Sequence, residues 1–237
     1  MAITIYWACF EDEWVKADEP EKVLKRFYSS KGIQSVERNH PMALNYCPVF
    51  NQTLGNTYAV KSIYDYSFKI QNNKCVSLDH GQRFFDEHII VRSIDKKFFG
   101  YQNKYIFFTE EDSLIMNAYQ HPIFEENEIS KRCMIIPGSF DIGKYFRNLE
   151  FSFILKDGFD EFVVKNNDVL YYLTFDTKEK IEFKQFRGVP ELTAMMQSLR
   201  RADSFNLSRR VPTMDVWYNK FKGKKWILNK IKENLLD

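Results

Sequence analysis

Residues 149–175 read LEFSFILKDGFDEFVVKNNDVLYYLTF, and this stretch decides the fold class. Its three segments, Leu149–Leu155, Glu161–Lys165 and Val169–Phe175, are rich in aromatic and β-branched side chains, which is typical of β-strands. Asp157-Gly158 and Asn166-Asn167-Asp168 separate the segments, and these residue types favour tight turns because they tolerate a left-handed backbone. The stretch therefore predicts three neighbouring strands of a β-sandwich or jelly roll.

The same pattern extends outward from this stretch in both directions. Further strand candidates are Ile3–Ala8, Thr57–Ile70, Cys75–Leu78, His88–Ile94, Tyr105–Thr109, Ser113–Tyr119, Cys133–Ile136 and Lys180–Phe186. Asn72-Asn73 is a further turn signal between two of these candidates. About ten short strands at this spacing indicate a sandwich or barrel rather than βαβ units. Gly138–Lys144 has two glycines and a lysine but lacks the spacing of a phosphate loop, so we interpret it as a loop between strands.

Two segments have helical spacing instead. Pro20 suits the first turn of a helix, and the apolar residues that follow it predict a helix over residues 20–28. A second helix is predicted from Pro190 to Ala202. We therefore expect a mainly β (α+β) chain. Its jelly-roll or β-sandwich-like domain covers residues 1–189 and has an N-terminal helix, and a helical, basic C-terminal arm covers residues 190–237.

The composition favours a folded domain and excludes several classes of protein. Hydrophobic residues make up 44% of the 237 residues and aromatic residues 16%, so a large core is expected. Because the formal net charge is only +2, the chain as a whole gives no reason to expect a strongly charged partner. Because no apolar run approaches the ~20 residues that span a bilayer, we expect no membrane partner.

Charge is distributed unevenly, and this points to the C-terminal arm. Residues 200–237 hold ten Lys/Arg and four Asp/Glu, a net of +6, whereas the remainder holds 24 basic and 28 acidic residues, a net of −4. Aromatic residues are interleaved with the lysines of this arm. The predicted partner-binding residues are Trp217, Tyr218, Phe221, Lys224, Lys225 and Trp226.

Three interpretations of the arm stay open. It could be an ordinary terminal helix that packs Trp226, Ile227, Ile231 and Leu235 on the body with its lysines in water. It could anchor a protein partner, since tryptophan and tyrosine dominate interface hot spots. It could bind single-stranded nucleic acid by phosphate neutralisation and base stacking.

The sequence offers little material for catalysis. His80, His88 and His121 are the weak candidates for a metal site, but a facial-triad iron site needs two histidines and one carboxylate, and no His-x-Asp/Glu pattern occurs. The chain also lacks G-x-S-x-G, GxxxxGK[ST] and GxGxxG motifs. A nucleophilic Cys–His pair with Cys47 or Cys133 as its thiol stays open, because the two residues of such a pair need not be close in sequence, but a buried structural cysteine is the favoured interpretation. We therefore expect no metal and no cofactor. A jelly-roll metalloenzyme of the iron/2-oxoglutarate or cupin-like kind remains the alternative, and it requires the three histidines to converge.

Four stretches carry a family resemblance. They are Ile5–Ala8, Asn45–Phe50, Asn56–Ser62 and Phe140–Arg147. These stretches resemble an uncharacterised family of large tailed phages of the T-even-like group, notably those that infect marine cyanobacteria. The resemblance implies a phage context and synthesis in the host cytoplasm, and leaves open whether the product enters the virion. With the residues above, it favours a non-enzymatic phage structural or interaction protein whose partner is another protein or a second copy.

The four cysteines generate the first prediction. Cys9, Cys47, Cys75 and Cys133 are widely spaced, and a chain long enough to bury a core does not need disulfides. We expect all four thiols to react with an alkylating agent in the unreduced, denatured protein. Mass spectrometry that finds fewer than four modified thiols would contradict this expectation.

Overall fold

The computed structural model describes residues 2–10, 17–23, 54–120, 127–205 (side chains to residue 197) and 223–236. The strands are β1 Ala2–Cys9, β2 Glu21–Lys22, β3 Thr57–Lys61, β4 Tyr66–Gln71, β5 Lys74–Ser77, β6 Ile89–Ser93, β7 Phe98–Thr109, β8 Ile115–Tyr119, β9 Cys133–Ile136, β10 Gly138–Asp141, β11 Asn148–Leu155, β12 Glu161–Val164, β13 Val169–Phe175 and β14 Lys180–Gln185. The helices are α1 Gln82–His88, α2 Glu128–Arg132, α3 Pro190–Phe205 and α4 Gly223–Glu233.

The strands form three sheets. Sheet A has the order β14-β1-β7-β11-β9, and β6 also pairs with β7. Sheet B has the order β10-β8-β13-β3-β2, and sheet C has the order β12-β4-β5. Among the described strands, all paired neighbours are antiparallel except β1 and β14, which are parallel. Since β7 pairs with β1, β6 and β11, it is the central strand of sheet A.

Aromatic side chains join sheet A to the other two sheets. The ring centroids of Tyr58 in sheet B and Phe183 in sheet A are 4.9 Å apart. Phe153 in sheet A stacks on Phe162 in sheet C at 4.5 Å. The inner faces of all three sheets belong to one hydrophobic cluster. The prediction of a mainly β, sandwich-like fold is therefore confirmed, with sheet A on one side of the core and sheets B and C on the other.

Helices α3 and α4 form a third layer on the outer face of sheet A. Ile5 and Trp7 of β1 point into the sandwich core, whereas Tyr6 and Ala8 belong to a second cluster that includes Leu192 and residues of α4. β7 has the same arrangement. This part of sheet A is buried on both faces, and its strands accordingly have continuous apolar runs without polar alternation.

The predicted turns are confirmed by their backbone geometry. Asn72 and Asn73 have φ values of 49° and 59°, as a two-residue hairpin turn between β4 and β5 requires. Gly158 and Asn167 are also in the left-handed region, with φ values of 85° and 68°. The helix predicted from Pro190 is present as well and extends to Phe205.

Other elements differ from the sequence-based predictions. Gly138–Asp141 is not a loop but strand β10, because it pairs with β8 across the sheet. Glu21 and Lys22 form β2, paired with β3, so they are not part of the predicted N-terminal helix. Val23 is helical, and residues 24–28 lie outside the described residues. β7 begins at Phe98, not at Tyr105. The short helices α1 and α2 were not predicted.

The predicted boundary between residues 189 and 190 stays a prediction. In the part of the chain that the structure describes, none of the helices has the length and apolarity to span a membrane.

The contact between sheets A and C generates the second prediction. Phe162 has no exposed surface and stacks on both Phe68 and Phe153, at 5.4 and 4.5 Å. Phe162→Ala should lower the free energy of unfolding by about 3–5 kcal/mol, through lost burial and a cavity between the sheets. Urea denaturation followed by circular dichroism measures this loss. As a control, Leu78→Ala changes a side chain that is 47% exposed and should alter the free energy of unfolding by less than about 0.5 kcal/mol. Equal denaturation midpoints for the two variants would show that the Phe162 contact is not central to the core.

Candidate functional site at the C-terminal helix

Half of the predicted partner-binding residues lie on α4. Lys224, Lys225 and Trp226 occupy its first turn. Trp217, Tyr218 and Phe221 lie outside the described residues. The geometry of the site is therefore that of α4 and of the surface on which it rests.

The inner face of α4 is apolar and closely packed. Ile227 and Ile231 have no exposed surface, and their four-residue spacing places them on one side of the helix. They pack in the same cluster as Tyr6, Ile106 and Phe108 from the outer face of sheet A. After the helix, the Leu236 N–H donates a hydrogen bond of 2.9 Å to the Gln185 carbonyl at the end of β14. Residues 223–236 thus rest on the chain's own body.

Glu110 connects α4 to β1 by polar contacts. The Tyr6 hydroxyl donates a hydrogen bond of 2.5 Å to one Glu110 carboxylate oxygen, and the Lys232 ammonium lies 2.9 Å from the other. The hydrogen bonds from Tyr6 and Lys232 hold the pKa of Glu110 below its usual range. Burial, reinforced by this hydrogen bond, raises the pKa of Tyr6. Glu110 is therefore an anionic acceptor between the helix and the sheet.

Lys224 makes the second polar contact between α4 and the body. Its ammonium donates a hydrogen bond to the Glu111 carbonyl and lies 5.9 Å from the centroid of the Phe108 ring. Burial lowers the pKa of Lys224, while the acidic side chains around it, Asp112 and Asp141 among them, oppose that change. In the sequence, Glu110–Asp112 is only a cluster of acidic residues. In the structure, this stretch is where Lys224 and Lys232 contact the body.

Asp141 organises the loop beneath Lys224. Its carboxylate accepts hydrogen bonds from the Ser113 hydroxyl at 2.7 Å and from the Leu114 and Gly143 amides, both at 3.1 Å. Gly143 is required here because a Cβ atom would lie 2.4 Å from the Glu111 carbonyl oxygen. The hydrogen bonds of Asp141 and the close approach of Gly143 together fix the position of the Glu111 carbonyl, which Lys224 contacts.

Lys225 and Trp226 face away from the body. Trp226 is 38% exposed, Lys225 is exposed, and neither has a hydrogen bond, ion pair or ring contact within the described residues. The interpretation of α4 as a packed terminal helix is correct for Ile227 and Ile231. Trp226 and Leu235 are packed only in part, because each is 38% exposed, although the backbone of Leu235 forms a β-bridge with Phe186.

Two of the three candidate metal-ligating histidines can be placed. His80 and His88 lie on opposite sides of the Phe84 ring, with centroid distances of 4.3 and 3.9 Å, so this ring separates them. A ring nitrogen of His88 is 2.9 Å from the Phe84 carbonyl, and one of His80 is 2.8 Å from the Asp65 carbonyl. His121 lies outside the described residues. Within the described ranges, no three His, Cys, Asp or Glu side chains come together as metal ligands would.

The candidate thiol nucleophile Cys133 has a different environment from that of a reactive cysteine. Burial raises the pKa of Cys133 to about 12, although Lys156 and Arg132 nearby lower it in part. A thiol with this pKa is protonated at neutral pH, and only the thiolate is a good nucleophile. Cys47, the other thiol candidate, lies outside the described residues.

An open cleft that the sequence did not predict lies between β2 and the β13–β14 connection. Its volume is about 530 Å³, and its lining includes Lys22, Lys178, Lys180 and Glu179 over Phe175. The excess of ammonium groups suits an anionic group. The run Lys178-Glu179-Lys180 is visible in the sequence, but Lys22 joins it only through the pairing of β2 with β3.

Asp141 generates the third prediction. Burial raises the pKa of its carboxyl, but the hydrogen bonds from Ser113, Leu114, Lys144 and Gly143 together outweigh burial and leave the pKa below its ordinary value. A carboxyl whose pKa falls on folding stabilises the protein above the unfolded pKa of about 4, and this contribution is lost as pH falls through the folded pKa. Asp141→Asn should therefore cost about 1–3 kcal/mol at pH 7 and much less in acid.

Urea denaturation at a series of pH values measures this difference. Asp157→Asn, at an exposed turn residue, is the control and should leave the stability unchanged at both ends of the series. If Asp141→Asn lowers the free energy of unfolding by the same amount at neutral and acidic pH, the pKa of Asp141 is not lowered on folding and the prediction is wrong.

Comparison with known proteins gives no family for this chain. No protein-family model matches it, and no curated protein matches it. Among solved structures, a dUTPase from phage phi11 of S. aureus aligns with 78% of this chain and 96% of its own, at 12% identity and a TM-score of 0.36. A dUTPase of Staphylococcus bacteriophage 80alpha aligns with 78% of this chain and 89% of its own, at 10% identity and a TM-score of 0.35. Likenesses this weak carry no conclusion about the activity of this chain.

Proposed function

We propose that the chain is a phage structural or interaction protein that acts by binding another protein through the outer face of α4. The observation that carries the proposal is that Trp226 is exposed beside Lys225, which has no ion pair within the described residues, on a helix whose apolar face is fixed to sheet A. The phage context is supported by the sequence resemblance alone.

The fixed position of α4 favours binding. Ile227 and Ile231 are buried, and Lys224 and Lys232 contact Glu111 and Glu110. A side chain on a helix that is already ordered loses less conformational entropy on association than one on a flexible segment. Trp226 can therefore contribute most of its burial energy to a complex.

The chemistry of this face defines the partner. An indole that is exposed over a third of its surface suits an apolar pocket, and tryptophan is strongly enriched among interface hot spots. Lys225 suits a carboxylate at the edge of that pocket. We therefore expect a protein surface with an apolar pocket flanked by acidic side chains.

Nucleic acid is the less favoured partner because most lysines of α4 are already engaged. Lys224 and Lys232 contact the body, and Lys230 pairs with Glu233 at 2.8 Å. Counting contacts between described residues, Lys225 is the one lysine of this helix left for a phosphate, whereas affinity for nucleic acid grows with the number of phosphates neutralised. A single indole and one ammonium suit a protein pocket better.

The fourth prediction tests this face. We expect immobilised full-length protein to retain a partner from an extract of phage-infected host cells, and Trp226→Ala to lose it. With the purified partner, calorimetry should show that Trp226→Ala weakens binding by about 2 kcal/mol or more, which is about 30-fold. Lys225→Ala should mainly slow association and reduce its salt dependence.

Leu78→Ala provides the matched control, because Leu78 is an exposed apolar residue directly after β5 of sheet C. It should bind the partner like the unchanged protein. The proposal fails if no purified protein binds in a way that depends on Trp226. If an oligodeoxythymidylate binds instead, and Trp226→Ala abolishes that binding, nucleic acid is the partner.

A further inference from the structure

The half of sheet A that the described side chains of α3 and α4 do not cover carries apolar side chains on its outer side. Phe98, Ile154 and Met134 stand opposite one another on β7, β11 and β9. Ile90 and Ile136 stand in the next row, on either side of Gly100 and Ser152. Their strand neighbours Phe99, Phe153 and Ile135 point into the sandwich core, so these five residues point outward. We call the surface formed by these five outward-pointing residues the open face.

The open face has no apolar cover among the described residues. Met134 is 53% exposed, and the other four are half-buried. None of the five packs against the sandwich core or against the cluster beneath α3 and α4. A run of apolar side chains across four strands is more than the scattered exposure that is normal for a soluble surface.

One ion pair lies on the open face and makes it electrically neutral. Arg92 of β6 contacts the Glu150 carboxylate, and its guanidinium carbon is 5.6 Å from the Phe98 ring centroid. Gly100 allows this, because a Cβ atom there would lie 2.5 Å from a Glu150 carboxylate oxygen. The pair therefore lies flat over the sheet, and both charges already have a partner when the face becomes buried.

We propose that the open face is the interface of a homodimer, with a second copy of this chain as its occupant. Its charge is the main argument. A strongly acidic or basic partner gains nothing from a neutral face, whereas a second copy presents the same neutral apolar rows. In an isologous dimer the two-fold axis also brings Arg92 of one copy towards Glu150 of the other, so like charges need not meet. This proposal uses a different surface from α4 and does not rest on the proposed function.

The geometry of the sheet supports this occupant. Two sheets pack face to face at about 10 Å when their facing side chains are apolar and of mixed size. Phe98 and Ile154 project from the open face beside the small Ser152, and the Arg92–Glu150 pair lies over Gly100. The open face therefore offers side chains of mixed size for packing against the same rows of a second copy.

Sedimentation velocity over a concentration series tests the dimer with the full chain. We expect the mass to approach twice that of the monomer as concentration rises, with little change between low and high salt, because the face is neutral. Ile154→Arg should weaken the dimer by about 100-fold or more, since each copy would bury an unpaired charge. Val76→Arg, at an exposed residue of β5 in sheet C, is the matched control and should not change the mass.

Disulfide trapping provides a second measurement that does not depend on the folding of Ile154→Arg. Ser152→Cys should give a covalent dimer under mild oxidation, and the unchanged protein, with its own thiols, should not. A monomer at all concentrations, or a dimer that forms equally well with Ile154→Arg, would overturn the proposal. If Ile154→Arg lowers the stability of a protein that was already monomeric, the face is covered by its own chain and the proposal is equally wrong.

Discussion

Burial of β1 and β7 on both faces is the constraint on which the rest of the structure depends. On one face, Trp7 and Phe107 meet the aromatic core shared with sheets B and C. On the other face, Tyr6, Ile106 and Phe108 would be in water without α3 and α4. Because fully burying one large apolar side chain contributes about 1.5–3 kcal/mol, a sheet with two apolar faces cannot leave one uncovered at little cost. The C-terminal helix is therefore part of the fold, and the partner binding proposed for it uses a helix that the fold already requires.

This constraint also explains why the sequence separates charge as it does. The basic residues Lys224 and Lys232 lie on α4, and the acidic residues that they contact lie on the loop after β7. That loop is held in place by Asp141, which bonds it to the end of β10. An acidic body and a basic arm thus meet within one chain. What remains for a partner is the side of α4 that the body does not use.

Much of the fold could be predicted from the sequence because its signals are local. The Asn72-Asn73 turn and the strands after Leu149 depend on residue types that specify their own backbone. The first half of β7 could not be predicted in this way, because Gly100, Gln102 and Asn103 interrupt the aromatic and β-branched pattern that is typical of strands. β10 depends on its pairing with β8, as Phe140 stands opposite Met116, and a stretch with two glycines shows no sign of that pairing. The five-residue helix α2 is too short to establish a period.

The candidate site could be predicted only in part, because some of its geometry depends on contacts between residues that are far apart in the sequence. The spacing of Ile227 and Ile231 identifies one side of a helix, and the adjacent Trp226 could belong to either side of it. Which side faces water is decided by Tyr6 and Phe108, which are more than a hundred residues away in sequence. The pairing of His80 and His88 with Phe84 likewise comes from the geometry of α1 and the turn before it.

The relative strength of the contacts under α4 shows what its charges do. The Lys232–Glu110 pair is about half exposed at both ends, and such pairs contribute about 0–1 kcal/mol. Ile227 and Ile231 are fully buried and contribute about 1.5–3 kcal/mol each. Apolar burial therefore holds the helix on the sheet, and the ion pair adds little to its stability. Rolling the helix about its own axis would bring Ile227 and Ile231 out of the apolar cluster. Because that loss exceeds what an exposed ion pair contributes, the burial of the two isoleucines also fixes the rotation of the helix and keeps Trp226 turned towards the solvent.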